Sequence, residues 1–401
     1  MSTLRCRLIQ IYLIRFAIEI YLKGFFSHNV ESNWEKKLMR FNKIFGVIAV
    51  ASSALIATST FSINSAKANE VANFYKGKDI TFIVGFSVGG SYGAYARMLA
   101  RHMAQYVPGK PNILTKHLQG GGGARAASHL YNAAPKDGTM LGFLADSLAV
   151  GQLMFPKKAK YDAGKMHYIG RLTPVNPVLM INKNHAVKKI EQVKTTQVIA
   201  SCSGRNNQTY MNVKATKELL GLKFKQVCGY AGSAPQTLAQ ERGDVDAQSS
   251  AWISWKIRAW DKITSGAIIP LVQFGLEREK DLPNVPLPQD LTDDKEAQAI
   301  FKFVFAGGAV GRTLISAPGV PKDRIQALRT AFNKTMKDPK FLAEAKKRNA
   351  NIDPISGEEL DKITATVLST DKKLVQMAGN IMKGYEKNCK RDCKKKKKKK
   401  K

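Results

Sequence analysis

The stretch from Ile80 to Arg97, ITFIVGFSVGGSYGAYAR, constrains this chain most, because an apolar run there breaks into glycines and then takes up helical spacing. Ile80, Phe82, Ile83 and Val84 suit a buried parallel strand, and Gly85, Gly89 and Gly90 let the backbone turn tightly and approach a ligand closely. Beyond them Ala94, Met98, Leu99, Met103 and Tyr106 recur at steps of three and four, which gives a helix one apolar face. The turn therefore receives unpaired backbone N–H groups and the positive end of a helix dipole, a combination that favours an anion.

The same residues spell a second reading. Gly85-Phe86-Ser87-Val88-Gly89 fits the G-x-S-x-G elbow of α/β hydrolases, in the strand-to-helix setting that motif demands. Such an enzyme needs a histidine late in the chain, and the six histidines stand at 28, 102, 117, 129, 167 and 185. The strand is also the first of the mature chain, early for an elbow. An exported serine hydrolase acting through Ser87 is kept as the alternative to an anion-binding turn.

The strand, glycine turn and helix plan then repeats. Asn112 to Leu118 reads as a strand, Gly120 to Gly123 as a turn, ARAASHLYNAA as a helix, and Thr139 to Ala145 as a third strand ending at Asp146 and Ser147. Alternation of this kind predicts a parallel sheet with ligand contacts at the carboxyl ends of its strands. Neither glycine cluster has the Lys-Ser/Thr or the spacing of a nucleotide loop. PVNPVLMINK, from Pro174 to Lys183, reads as an extended crossing into a second unit of the same plan. That unit has strands at 197–202, 223–230 and 245–250 and helices at 208–220 and 235–242. Trp252, Trp255 and Trp260 read as a packed helix face rather than a cleft wall. The glycine-rich passage from Ala306 to Arg312 reads as the return crossing, where a hinge can absorb backbone rotation, and amphipathic helices follow.

The formal net charge of +33 suggests a nucleic-acid binder until it is located. Residues 1–68 hold nine basic against three acidic side chains and 387–401 hold eleven against one, which leaves +17 between them. That surplus favours anionic small ligands in general, and no nucleic-acid partner is expected. Residues 39–68 read as a signal peptide that ends at Ala66-Lys67-Ala68, so the product is expected in the periplasm after cleavage. Residues 1–38 read as a doubtful extension and 387–401 as a disordered lysine-rich tail. Cys202 and Cys228 each end a short apolar run; an exported protein can bridge them, or they remain two buried thiols. No Cys/His spacing looks like a zinc site, and no metal or cofactor is expected.

From about Phe74 to Gly384 the chain resembles the solute-binding receptors of tripartite tricarboxylate transporters, the Bug-type periplasmic binding proteins. The resemblance rests on the order of ITFIVGFSVGGSYGAYAR, GGGGARAASHLYNAAPKDGTMLGFL, KFKQVCGYAGSAPQTLAQERGDVDA and DLPNVPL. It implies a non-enzymatic α/β protein with a type II periplasmic-binding fold. Two α/β domains, 69–175 plus 306–386 and 176–305, are joined by crossing hinge strands with a ligand cleft between them. It further implies a monomer that captures a small organic carboxylate for the membrane subunits of a transporter; a carboxylate sensor for a membrane signalling partner is the other binding role.

By the same resemblance the ligand is held by Phe86, Ser87, Gly90, Ser91, Tyr92, Gly121, Gly122 and Asp146 of the first domain. Opposite them stand Ser203, Arg205, Asn206, Tyr230, Ala231 and Asp246 of the second. Two departures bear on specificity. Ser87-Val88 replaces the family's prolines before Gly89, and Gly93 stands where its aspartate would, which disfavours amino-acid-like ligands. Arg205 adds a cation that favours a di- or tricarboxylate.

Overall fold

The computed structural model describes residues 69–383. The extension at 1–38, the leader at 39–68 and the lysine-rich tail at 387–401 lie outside the described residues. In chain order the strands are β1 (Asp79–Val84), β2 (Asn112–His117), β3 (Met140–Phe143), β4 (His167–Thr173), β5 (Pro177–Asn182), β6 (Val198–Cys202), β7 (Phe224–Cys228), β8 (Ala247–Ala251), β9 (Ile268–Gln273), β10 (Arg312–Ser316) and β11 (Ile355–Ser356). The helices are α1 (Ser91–Met103), α2 (Ala124–Asn132), α3 (Leu148–Met154), α4 (Gln208–Leu220), α5 (Ser233–Glu241), α6 (Trp252–Arg258), α7 (Trp260–Thr264), α8 (Lys295–Phe305), α9 (Gly307–Val310), α10 (Lys322–Thr335), α11 (Pro339–Lys347), α12 (Gly357–Leu368) and α13 (Lys372–Met382).

The strands form two sheets, one in each lobe of an α/β fold. The first has the order β11-β4-β10-β3-β1-β2 and the second β7-β6-β8-β5-β9. β1 pairs in parallel with both β2 and β3, and β6 does the same with β7 and β8. Each parallel trio is then joined by one antiparallel strand that has crossed from the other half of the chain. β5 enters the second sheet beside β8, and β10 returns to the first between β3 and β4. The two lobes thus share one strand plan, and the crossing strands lie inside the sheets.

Burial explains which residues build this frame. Five of the six residues of β1 are buried because helices cover both faces of a parallel sheet, whereas edge strand β2 alternates exposed and half-buried positions. α4 starts where the Asn207 side chain accepts a hydrogen bond from the Thr209 N–H, and it ends at Gly221 in the left-handed conformation. A small core in the second lobe holds Trp252 and Trp255 against Val178 and Met180, while Trp260 is largely exposed beside them.

Several parts of the fold go beyond the sequence reading, helix α8 and strand β11 among them. α3 and β4 occupy 148–173, where no element was expected, and the Gly307–Val310 passage is a short helix packed against the outgoing crossing. The Val175 N–H donates to the Gly308 carbonyl at 2.9 Å, so the outgoing and returning segments are tied together at the hinge.

Candidate functional site

Six loops that follow parallel strands face one another between the lobes: β1–α1, β2–α2 and β3–α3 from the first, and β6–α4, β7–α5 and β8–α6 from the second. They enclose an inner cavity of about 60 Å³ and an outer one of about 410 Å³, and Phe86 and Ser203 line both. At roughly 10–15 Å³ of such space per water, the inner chamber holds a handful of waters or one small solute.

The inner chamber is organised by one buried cation. Arg312, at the start of β10, is 3% exposed, and its Nη1 donates to Asp146 Oδ2 at 3.1 Å. Its Nε donates to Ser91 Oγ at 3.0 Å, and its guanidinium lies 3.8 Å from the centre of the Tyr92 ring. Tyr92 stacks in turn on Phe86 at 4.4 Å, so the guanidinium lies against a column of two rings. The Asp146 N–H donates to the Tyr92 hydroxyl at 3.0 Å. Burial pushes the Asp146 carboxyl up, while Arg312 and the Tyr92 hydroxyl pull it back toward the ionised form. Burial also drives the Tyr92 phenol far above its ordinary value, so it stays protonated.

The rest of the lining is rich in donors. Ser91, Ser203, Ser233, Ser250, Ser254 and Thr209 contribute hydroxyls. α1 and α5 both begin at the chamber with no side-chain cap, and so offer first-turn N–H groups to whatever lies there. Gln208 also lines the chamber, and its buried Nε2 has no hydrogen-bond partner among the described residues. One cation balanced by one carboxylate, surrounded by hydroxyls and amides, suits a small anion held mainly by hydrogen bonds. Among the described residues no group of three His, Cys, Asp or Glu side chains could hold a metal ion.

The lobes touch directly around this chamber. Ser254 Oγ donates to Ser91 Oγ at 2.6 Å, and Ser147 Oγ donates to the Asn206 carbonyl at 3.0 Å. The Ser87 N–H donates to the Ala231 carbonyl at 3.1 Å. The structure is therefore closed.

The residues singled out in the sequence separate into four groups. Phe86, Gly90, Ser91, Tyr92, Asp146 and Ser203 line the inner chamber. Gly121, Gly122, Arg205, Tyr230 and Ala231 line the outer one, with Phe86 and Ser203 between. Ser87 and Asn206 line neither and act through their backbones in the interlobe contacts above. Asp246 is elsewhere: it precedes β8, at the end of the strand away from both chambers, where Oδ2 accepts from the Ile199 N–H at 2.7 Å and lies 3.8 Å from His185 Nε2. Ser250 and Ala251, at the other end of β8, are the strand's contribution to the chamber.

Among the described residues Ser87 Oγ is buried without a hydrogen-bond partner, and His117, which reaches the neighbouring residue, engages the Phe86 carbonyl through Nδ1 at 2.7 Å. Among the described residues no general base is therefore hydrogen-bonded to Ser87 Oγ. Gly93 has no room for the family's aspartate, since an added Cβ would lie 2.7 Å from the Val88 carbonyl oxygen. Arg312, Gln208 and Ser254 were missed from the sequence. The available signal for Arg312 was a charged residue opening the apolar run RTLIS directly after a glycine.

Cys202 and Cys228 are joined by a disulfide, with their Cα atoms 4.4 Å apart at the paired ends of β6 and β7.

A family model described as the tripartite tricarboxylate transporter family receptor, TctC, matches residues 95–379. A curated relative from Cupriavidus necator, described as a UPF0065 protein in the gbd 5' region, is 20% identical over 332 residues, 80% of this chain and 94% of its own. Among solved structures, the periplasmic binding protein BugD superposes with a TM-score of 0.63 at 19% identity, covering 76% of this chain and 99% of its own. MatC from Rhodopseudomonas palustris with bound malate superposes with a TM-score of 0.60 at 19% identity, covering 75% of this chain and 99% of its own.

Proposed function

Because the chain belongs to the tripartite tricarboxylate transporter receptor family, we propose that it is a monomeric periplasmic receptor that captures a small organic carboxylate and hands it to the membrane subunits of a transporter. The observation that carries this reading is the inner chamber: closed between two lobes, lined by hydroxyls and uncapped helix starts, with Arg312 as its buried cation. A carboxylate there meets donors from both lobes, so only a ligand that bridges them stabilises the closed state. The moving bodies are 69–175 with 306–386 and 176–305, and the leader at 39–68 directs export.

The malate bound by MatC is a four-carbon dicarboxylate. A ligand of that class fits the two chambers, with one carboxylate in the inner chamber and the other end toward Arg205 in the outer. The Ser87 hydrolase reading is less well supported, because it lacks a base at Ser87. A signalling partner in place of a transporter would use the same closed form.

The test is a thermal-shift screen of the mature protein against mono-, di- and tricarboxylates, followed by calorimetry. A ligand at a hundredfold its Kd stabilises the folded state by about 2.7 kcal/mol. We expect a di- or tricarboxylate to give the largest shift; no shift with any carboxylate, or labelling of Ser87 by a fluorophosphonate, overturns the reading.

A further inference from the structure

The Cys202–Cys228 disulfide closes a chain separation of 26 residues and sits at the roots of two loops that line the outer chamber. Cys202 is the last residue of β6 and precedes Ser203, which lines both chambers. Cys228 is the last residue of β7 and precedes Gly229, Tyr230 and Ala231, which line the outer chamber. Beyond Cys228 the ladder between the strands stops. The 229–231 loop is then tied back to β6 by the Gly229 and Tyr230 N–H groups, both of which reach the Cys202 carbonyl, at 3.1 and 3.4 Å. Among the described residues β7 is the edge of its sheet, so none of their strands supports that loop from the other side.

Both loops also meet the opposite lobe. The 203–207 loop accepts from Ser147 Oγ through the Asn206 carbonyl, and the 229–231 loop accepts from the Ser87 N–H through the Ala231 carbonyl. A covalent tie at their roots makes the two loops one body, so that closure over a ligand orders both together. The two cysteines differ in access: Cys202 is fully buried, whereas Cys228 is an exposed residue that lines the outer chamber.

We infer that the Cys202–Cys228 disulfide positions the second lobe's ligand loops, and that a small thiol entering at Cys228 opens it and loosens the ligand. A thiolate attacks the Cys228 sulfur, the bond to Cys202 breaks, and Cys202 leaves as a thiolate that takes up a proton. A second thiol resolves the mixed disulfide, giving two protein thiols and one oxidised thiol dimer. With the tie gone, the 229–231 loop must be ordered separately on each binding event, so affinity falls about tenfold and the loss is in the off-rate.

The inference rests on the carboxylate reading of the same site, and the test separates the two. The mature protein is titrated with malate, adipate and citrate by calorimetry, first oxidised, then after dithiothreitol, then after re-oxidation. Hydrogen exchange of residues 203–207 and 229–232 is read in each state. We expect a tenfold weaker Kd and faster exchange in both loops on reduction, with exchange in β9 unchanged and both effects reversed by re-oxidation. The paired variant Cys202→Ala with Cys228→Ser should reproduce the reduced state, and reduction of the unaltered protein serves if that variant does not fold. A lower melting temperature with unchanged Kd and unchanged loop exchange makes the bond merely structural and overturns the inference alone. No binding by the oxidised protein overturns the carboxylate reading and this inference with it.

Discussion

Arg312 Nη1 and Asp146 Oδ2 lie 3.1 Å apart with both side chains nearly out of solvent, in a pair that joins the return strand β10 to the end of β3. A buried pair of this kind is weak in net terms but strongly asymmetric, because removing either member strands the other. Arg312→Ala should therefore destabilise the ligand-free protein by about 3 kcal/mol, and Arg312→Ala with Asp146→Asn should recover much of the loss. The single variant should also acquire a pH signature. Burial already raises the Asp146 carboxyl, and loss of the cation raises it further. The folded state then holds a proton that the unfolded state, near 3.9, has released, so stability falls as pH rises from about 4 through the raised value. Denaturant melts of both variants between pH 4 and pH 8 check this; a pH-independent loss in Arg312→Ala rules it out.

How much of this was legible beforehand depends on the range of the contacts. β1 and α1 could be read because their apolar spacing is local, and α4 because Asn207 and Gly221 mark its two ends. β4 was missed because HYIGRLT is broken by Gly170 and Arg171, and both breaks answer to distant partners. An added Cβ at Gly170 would lie 2.2 Å from the Phe332 ring, while Arg171 Nη1 donates to the Ala309 carbonyl at 2.7 Å. Arg312 escaped for the same reason: nothing near it in sequence says that β10 inserts between β3 and β4 and delivers its first residue to the chamber. The family resemblance of the segment GDVDA points to Asp246 as a site residue, but the chambers lie at the end where β8 finishes, and the Asp246 carboxylate instead accepts from the Ile199 N–H.

Glu344 fastens α11 to α1 outside the ligand site. Burial would raise its carboxyl, but hydrogen bonds from Arg101, His102 and Arg348 win and hold it at about 2. His102 Nε2 lies 2.8 Å from Oε2, and Arg348 Nε donates to Oε1 at 2.7 Å. A carboxyl held below its unfolded value of about 4.3 favours the folded state when both states are ionised, so the contribution is full above about pH 5 and is lost as pH falls toward 2. The group is partly exposed, and solvent screening leaves about 1 kcal/mol. Glu344→Gln should cost that much at pH 7 and show a shallower acid limb in thermal melts from pH 5 to pH 2. An acid limb as steep as the parent's would exclude this role.

Closure can be blocked without disturbing either lobe. Gly204 has an ordinary backbone conformation, yet a Cβ added there would lie 2.7 Å from the Gly122 amide nitrogen and 2.9 Å from the Gly121 carbonyl carbon, both in the first lobe. No flexible side chain stands in the way to yield, so relief must come from the lobes opening. Gly204→Ala should melt within about 0.5 kcal/mol of the parent, as a surface change does, and lose at least tenfold in carboxylate affinity. Small-angle scattering should show no ligand-driven fall in its radius of gyration. Ligand-driven compaction with parental affinity would mean that the 121–122 and 204 backbones are not in contact in the closed state.

Arg205 separates the two chambers' contributions to specificity. It is exposed at the lip of the outer chamber, whereas Arg312 is enclosed in the inner one. A cation in water interacts weakly with a carboxylate and is screened by salt, so Arg205→Ala should weaken a di- or tricarboxylate by about three- to tenfold, less at high ionic strength. A monocarboxylate reaches only the inner chamber and should bind the variant as it binds the parent. The useful measurement is the ratio of the two affinities at low and at high salt. If Arg205→Ala weakens mono- and dicarboxylates equally, the second charge is read elsewhere, and if neither changes, Arg205 is a solvated rim residue with no part in choosing the ligand.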